Sequence, residues 1–77
     1  MKVLITGHSK RRLKGQRQGG IDWLDIVEAA RTIPGRIPRA TRFRGFVARS
    51  GKVFDLVVKD SSDGRIVITV IGKNNPG

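Results

Sequence analysis

A single histidine lies among closely spaced cations near the start of the chain. The cations that follow His8 are Lys10, Arg11, Arg12 and Lys14. An imidazole titrates near neutrality and can exchange protons during catalysis, while arginine presents a planar fork to phosphate. This pattern is typical of a site that holds a phosphodiester and moves protons on it. It is equally typical of a basic arm, or of a helix start, with an incidental histidine.

The charge of the whole chain favours a polyanion as partner. Sixteen Lys and Arg residues against six Asp and Glu give a formal net charge of +10, and no acidic residue occurs between Glu28 and Asp55. Such a surface binds nucleic acid by neutralising phosphates and releasing their counterions. The residues that we predict to contact nucleic acid are Lys10, Arg11, Lys14, Arg17, Arg39, Arg42, Arg49 and Lys52.

The acidic residues do not indicate a metal site. They are spread over the chain, as two helix-start aspartates, two turn aspartates, one strand aspartate and Glu28, and there is no cysteine. We therefore predict neither a metal ion nor another cofactor. Without a metal ion, RNA is the favoured substrate, because it carries its own nucleophile in the 2′-hydroxyl group. His8, Arg12, Arg42 and Arg44 suit that chemistry, although each arginine also suits phosphate contact without catalysis.

The first half of the sequence predicts two helices. Val3-Leu4-Ile5 is either a short strand or an apolar lead-in, and Ser9–Gln18 is a candidate first helix. The signal for the second helix is stronger. Asp22 is a suitable N-cap with Asp25 three residues later, and Pro34-Gly35 ends the segment. The predicted buried stripe of this helix consists of Trp23, Ile26, Val27, Ala30 and Ile33.

The second half predicts strands joined by short turns. The strands are expected at 39–49, 52–59 and 65–72, and short turns require neighbouring strands to be antiparallel. In the first strand, strict alternation places Thr41, Phe43 and Val47 on one face and Arg42, Arg44 and Phe46 on the other. The expected fold class is α+β, with two N-terminal helices packed on an antiparallel sheet of three to four strands. Residues 1–72 form one domain and 73–77 a disordered tail.

Membrane insertion and secretion have no support in the sequence. The longest strongly apolar run, Ile66 to Ile71, is too short to span a bilayer, and Val3-Leu4-Ile5 is too short for a signal peptide. Because the chain also lacks cysteine, the cytoplasm is the expected location.

Three pieces of the chain resemble small domains related to RelE-like toxins, a group that includes colicin-type and barnase-like RNases. They are His8 with Arg12, Gly20-Ile21 through Ile26, and Val53 through Val70. The resemblance implies metal-independent RNA cleavage by a toxin that pairs with an acidic antitoxin. It adds Thr69, at the matching strand position, to His8, Arg12 and Arg44 as a candidate catalytic residue. A strand threonine is also an ordinary choice for β-structure.

Two main hypotheses follow. The first is a small toxin-like ribonuclease that acts on RNA without a metal ion. The second is a nucleic-acid-binding module without catalysis, such as a regulator or an architectural subunit. A third class, a small interaction protein whose basic face meets an acidic inhibitor, shares the same surface.

Overall fold

A computed structural model describes residues 2–6 and 20–72. In this part of the chain a mixed sheet of four strands carries one helix on one face. The elements are β1 (Val3–Ile5), α1 (Trp23–Thr32), β2 (Thr41–Val47), β3 (Val53–Ser61) and β4 (Gly64–Gly72). The strand order is β1-β4-β3-β2, so β1 and β2 lie at the two edges.

The expected fold class is wrong in two respects. The described residues contain one helix rather than two, and the sheet is mixed rather than antiparallel. The candidate helix Ser9–Gln18 and the tail 73–77 lie outside the described residues. The short turns make β2, β3 and β4 antiparallel, as expected. However, β1 pairs in parallel with β4, the last strand, and no local turn signal encodes a pairing between strands so far apart in sequence.

Helix α1 begins where the sequence indicates. The Asp22 carboxylate accepts a hydrogen bond from the Trp23 N–H group at 2.7 Å, and the Asp22 N–H group donates to Asp25 at 2.9 Å. The Asp22 carboxylate also accepts a hydrogen bond from the Asp25 backbone N–H group, so Asp22 and Asp25 form a reciprocal capping box, which confirms the predicted helix start. The predicted stripe is buried except for Trp23, which is 55% exposed. The period gives a residue's position around the helix but not its depth of burial in the first turn.

Strand β2 contains a bulge that strict alternation did not predict. Phe43 lies opposite Leu56, but Phe46 lies opposite Phe54. Between these two pairs β2 therefore contains one residue more than β3. Gly45 takes up the irregularity with a φ of 85°. Both phenylalanines therefore pack against the core, and the predicted placement of Phe46 and Val47 is wrong. Val47 lies instead beside Val53 and is 66% exposed.

A buried arginine joins the end of α1 to the sheet. The side chain of Arg65 is fully buried, and each of its guanidinium nitrogens donates hydrogen bonds. Nη1 donates to the carbonyl oxygens of Ala30 at 2.7 Å and Ile33 at 2.6 Å, and Nη2 donates to that of Gly35 at 2.8 Å. Nε and Nη2 also bind the two carboxylate oxygens of Asp60, at 2.7 and 2.9 Å. Arg65 thus satisfies carbonyl groups that the helix end leaves without partners.

Candidate nucleic-acid interface

Most of the protein's acidic side chains form ion pairs with its own arginines. Four of the six acidic side chains form ion pairs. The pairs are Arg49–Asp22 (3.3 Å), Arg49–Asp25 (3.1 Å), Arg42–Asp55 (2.7 Å) and Arg65–Asp60 (2.7 Å). The remaining acids, Glu28 and Asp63, are exposed. A polyanion that approaches the protein therefore meets few carboxylates that are not already paired with an arginine.

Several cations keep their charge exposed. Among residues 2–6 and 20–72, six basic side chains are exposed and make no ion pair or hydrogen bond to another described residue. They are Lys2, Arg31, Arg36, Arg39, Arg44 and Lys59. Arg39 and Arg44 were predicted to bind nucleic acid or phosphate, and they lie just before β2 and at its bulge.

Arg42 is held in a fixed position on the edge strand β2. Its Nε and Nη2 groups donate to Oδ2 of Asp55 at 3.0 and 2.7 Å, and its side chain is 42% exposed. The other oxygen of Asp55, Oδ1, accepts a hydrogen bond from the Gly45 N–H group at 3.2 Å. One carboxylate therefore fixes both the bulge and the arginine beside it.

Thr69 lies on the same face of the sheet as Arg42. Val57 pairs with Arg42 on one side and with Thr69 on the other, which aligns the three residues across β2, β3 and β4. Ile68 is an extra residue in β4 at this point, and it sets the register that brings Thr69 opposite Val57. With neighbouring strands about 4.8 Å apart, the Cα atoms of Arg42 and Thr69 are separated by roughly 10 Å.

Arg49, also predicted to bind nucleic acid, forms ion pairs with Asp22 and Asp25 at the start of α1. Its Nε group and its backbone N–H group both donate to Oδ1 of Asp25. The pKa of Asp25 is lowered, chiefly by the hydrogen bond from the Asp22 backbone and further by those from Arg49. Lys52, predicted for the same role, lies half-buried just before β3.

An open depression lies between the start of α1 and the turn after β2. Its volume is about 350 Å³, and its lining contains Gly20, Ile21, Asp22, Asp25, Arg49 and Ser50. Because its two carboxylates outnumber Arg49, the one cation in its lining, this depression does not extend the basic surface of β2.

The remaining predicted site residues lie outside the described residues. They are His8, Arg12, Lys10, Arg11, Lys14 and Arg17. The proton-transfer role of His8 and the phosphate role of Arg12 stay predictions from the sequence.

Within residues 2–6 and 20–72, no three side chains of the His, Cys, Asp and Glu types lie together in a way that could hold a metal ion. Nor does that part contain a helix with the length and apolar character needed to cross a membrane.

Asp55 is a member of this site that the sequence motifs do not predict. In the sequence it is an isolated strand carboxylate, which indicates only that no metal site is present. One signal was present: Asp55 interrupts an otherwise apolar run, Val53 through Val58, in a strand predicted to pair with the arginine-bearing strand. An opposite charge across neighbouring strands is the usual partner for such a residue.

Comparisons with protein-family models, with curated proteins and with solved structures found no match to this chain. The resemblance to RelE-like toxins and barnase-like RNases therefore stays a prediction from the quoted motifs.

Proposed function

We propose that this protein binds RNA along β2 and cleaves it without a metal ion. The observation that supports binding is the distribution of charge. Four carboxylates pair with the protein's own arginines, whereas Arg39 and Arg44 remain exposed on either side of the anchored Arg42. These arginines follow one edge strand, so they match the repeating phosphates of an extended single strand.

The proposed cleavage uses the 2′-hydroxyl group of RNA as nucleophile. His8 takes the proton of the 2′-hydroxyl group as its oxygen attacks phosphorus. The bond from phosphorus to the 5′-oxygen then breaks, which leaves a 2′,3′-cyclic phosphate, and the 5′-oxygen takes a proton from the His8 imidazolium or from water. Arg42 and Arg44 stabilise the negative charge that develops on the phosphorane. Arg12 and Thr69 complete the proposed site, as the resemblance to metal-independent RNases implies. Each arginine can offer two parallel N–H groups to one phosphate, which a lysine cannot do.

An acidic partner protein fits the same surface. The antitoxin that the resemblance implies would pair its carboxylates with the exposed Arg39 and Arg44 and thereby exclude RNA. The acidic partner requires no second site on the protein, because the same basic surface can bind either RNA or the partner.

The binding surface is tested by removing two of its exposed arginines. We expect the double variant Arg39→Ala/Arg44→Ala to bind single-stranded RNA at least about tenfold more weakly at low salt. The slope of log K against log salt should become shallower by about 1.4, because each lost phosphate contact contributes about 0.7. Fluorescence anisotropy with labelled RNA over a range of salt concentrations measures both quantities.

The matched control removes the same charge far from β2. Lys2 precedes β1, at the opposite edge of the sheet, and Arg31 lies on α1. We expect Lys2→Ala/Arg31→Ala to keep the wild-type slope. If the two double variants lose affinity equally, binding depends on total charge and the assignment to β2 is wrong. If wild-type protein binds RNA but purified preparations never cleave it, the non-catalytic module is the correct function.

A further inference from the structure

Asp55 is a buried carboxylate in an apolar strand, and it lies on the face of the sheet opposite α1. Its neighbours in sequence, Phe54 and Leu56, belong to the core beneath α1, and all three side chains are fully buried. A buried carboxylate rarely contributes more stability than an apolar residue of similar size, because its desolvation offsets its attraction to a cation. The position of Asp55 beneath Arg42 therefore points to a function.

We infer that Asp55 is a positioning residue that orients Arg42 toward an RNA phosphate. This inference rests on the proposed function of β2. Asp55 uses one oxygen, Oδ2, to hold both Nε and Nη2 of Arg42, while the Gly45 N–H group binds the other oxygen. The carboxylate is thus fixed from the bulge and in turn fixes the plane of the guanidinium group.

The fixed guanidinium group keeps donors available for a ligand. Nη1 of Arg42 makes no hydrogen bond to the described residues, and the side chain remains 42% exposed. A free arginine loses considerable rotational entropy when it binds phosphate, and an arginine that is already oriented loses less. Asp55 therefore increases phosphate affinity even though its own charge repels phosphate.

We expect Asp55→Asn to change RNA affinity in the direction opposite to that expected from charge alone. The substitution keeps an oxygen that can accept the Gly45 N–H group, and it raises the net charge by one. Charge alone predicts tighter RNA binding. Loss of positioning predicts binding about tenfold weaker, because Arg42 must then be ordered by the RNA itself. Asp63→Asn, which removes the same charge from an exposed turn residue, is the matched control and should bind RNA at least as tightly as wild-type protein.

A double-mutant cycle shows whether Asp55 acts through Arg42. In an Arg42→Ala background we expect Asp55→Asn to cause no further loss of RNA affinity. All variants are compared by anisotropy with a 2′-O-methyl RNA, which cannot be cleaved, at a temperature where circular dichroism shows them to be folded. A loss that persists in the Arg42→Ala background would overturn the inference, as would binding by Asp55→Asn equal to or tighter than that of wild-type protein.

Arg42→Lys provides a second test if Asp55→Asn does not fold. Lysine keeps the charge but lacks the planar fork that Asp55 holds, so we expect a loss of about tenfold. Wild-type affinity in Arg42→Lys would overturn the inference. If wild-type protein itself shows no salt-dependent RNA binding, the proposed function fails, which is distinguishable from a failure of the role of Asp55 alone.

Discussion

Replacing Arg65 with methionine is expected to lower the free energy of unfolding by roughly 3–5 kcal/mol. Methionine fills part of the space but donates no hydrogen bonds. The carbonyl groups of Ala30, Ile33 and Gly35 then lose their donor, and Asp60 loses its ion-pair partner. A small domain is stabilised by about 5–15 kcal/mol in total, so this variant should be largely unfolded under mild denaturing conditions.

Urea denaturation followed by circular dichroism measures this loss. The matched control is Arg31→Met, at an exposed position on α1, which should change the free energy of unfolding by less than about 0.5 kcal/mol. Should Arg65→Met unfold at nearly the same urea concentration as the control, the buried network would not hold α1 to the sheet as described.

The same ion pair gives stability a defined dependence on pH. The hydrogen bonds from Arg65, and secondarily from the Ile37 N–H group, lower the pKa of Asp60 from 3.8 to about 2. Because the folded-state pKa is below the unfolded value, this stabilisation is complete above about pH 4 and is lost as pH falls toward 2. In Asp60→Asn we expect the free energy of unfolding to lack this particular decrease between about pH 4 and pH 2, whatever the stability of the variant at neutral pH.

Replacing His8 with alanine is expected to abolish RNA cleavage while leaving RNA affinity largely intact. His8 is the one histidine of the chain, and general acid–base catalysis contributes about 10²- to 10⁴-fold to rate. In the proposed site the phosphate contacts come from arginines and lysines, which this substitution leaves in place. Cleavage is measured with excess EDTA present, and affinity with a 2′-O-methyl RNA.

Lys10→Ala is the matched control for His8→Ala. It removes a neighbouring cation and should weaken binding moderately without abolishing the chemical step at saturating protein. Unchanged cleavage by His8→Ala would remove His8 from the mechanism. Cleavage that disappears from wild-type protein with EDTA would contradict a metal-independent reaction.

Local signals in the sequence predicted much of the secondary structure. The Asp22 and Asp25 pair marked the start of α1, and the turns after Val47 and Ser61 set the antiparallel order of three strands. The parallel pairing of β1 was missed because it depends on contact between the first and last strands. The bulge at Gly45 was missed because strict alternation leaves no place for an extra residue.

The site could be predicted in part for similar reasons. The cluster of arginines in and just before β2 follows directly from the composition, whereas its division into arginines that form ion pairs and arginines that do not depends on the register of β2 against β3. Arg42 and Arg44 look equivalent in the sequence, yet Asp55 holds the first and no described residue pairs with the second. Arg65 appeared to be one more basic strand residue, although it lies fully buried beneath the end of α1.

The most direct test of RNA binding along β2 is an NMR titration of the ¹⁵N-labelled protein with a 2′-O-methyl single-stranded RNA. We expect the largest amide shift changes in Thr41–Val47, together with changes at the Nε groups of Arg42 and Arg44. The amides of Trp23–Thr32, on the other side of the sheet, should change little. Shift changes confined to Trp23–Thr32, or none at low salt, would contradict the account.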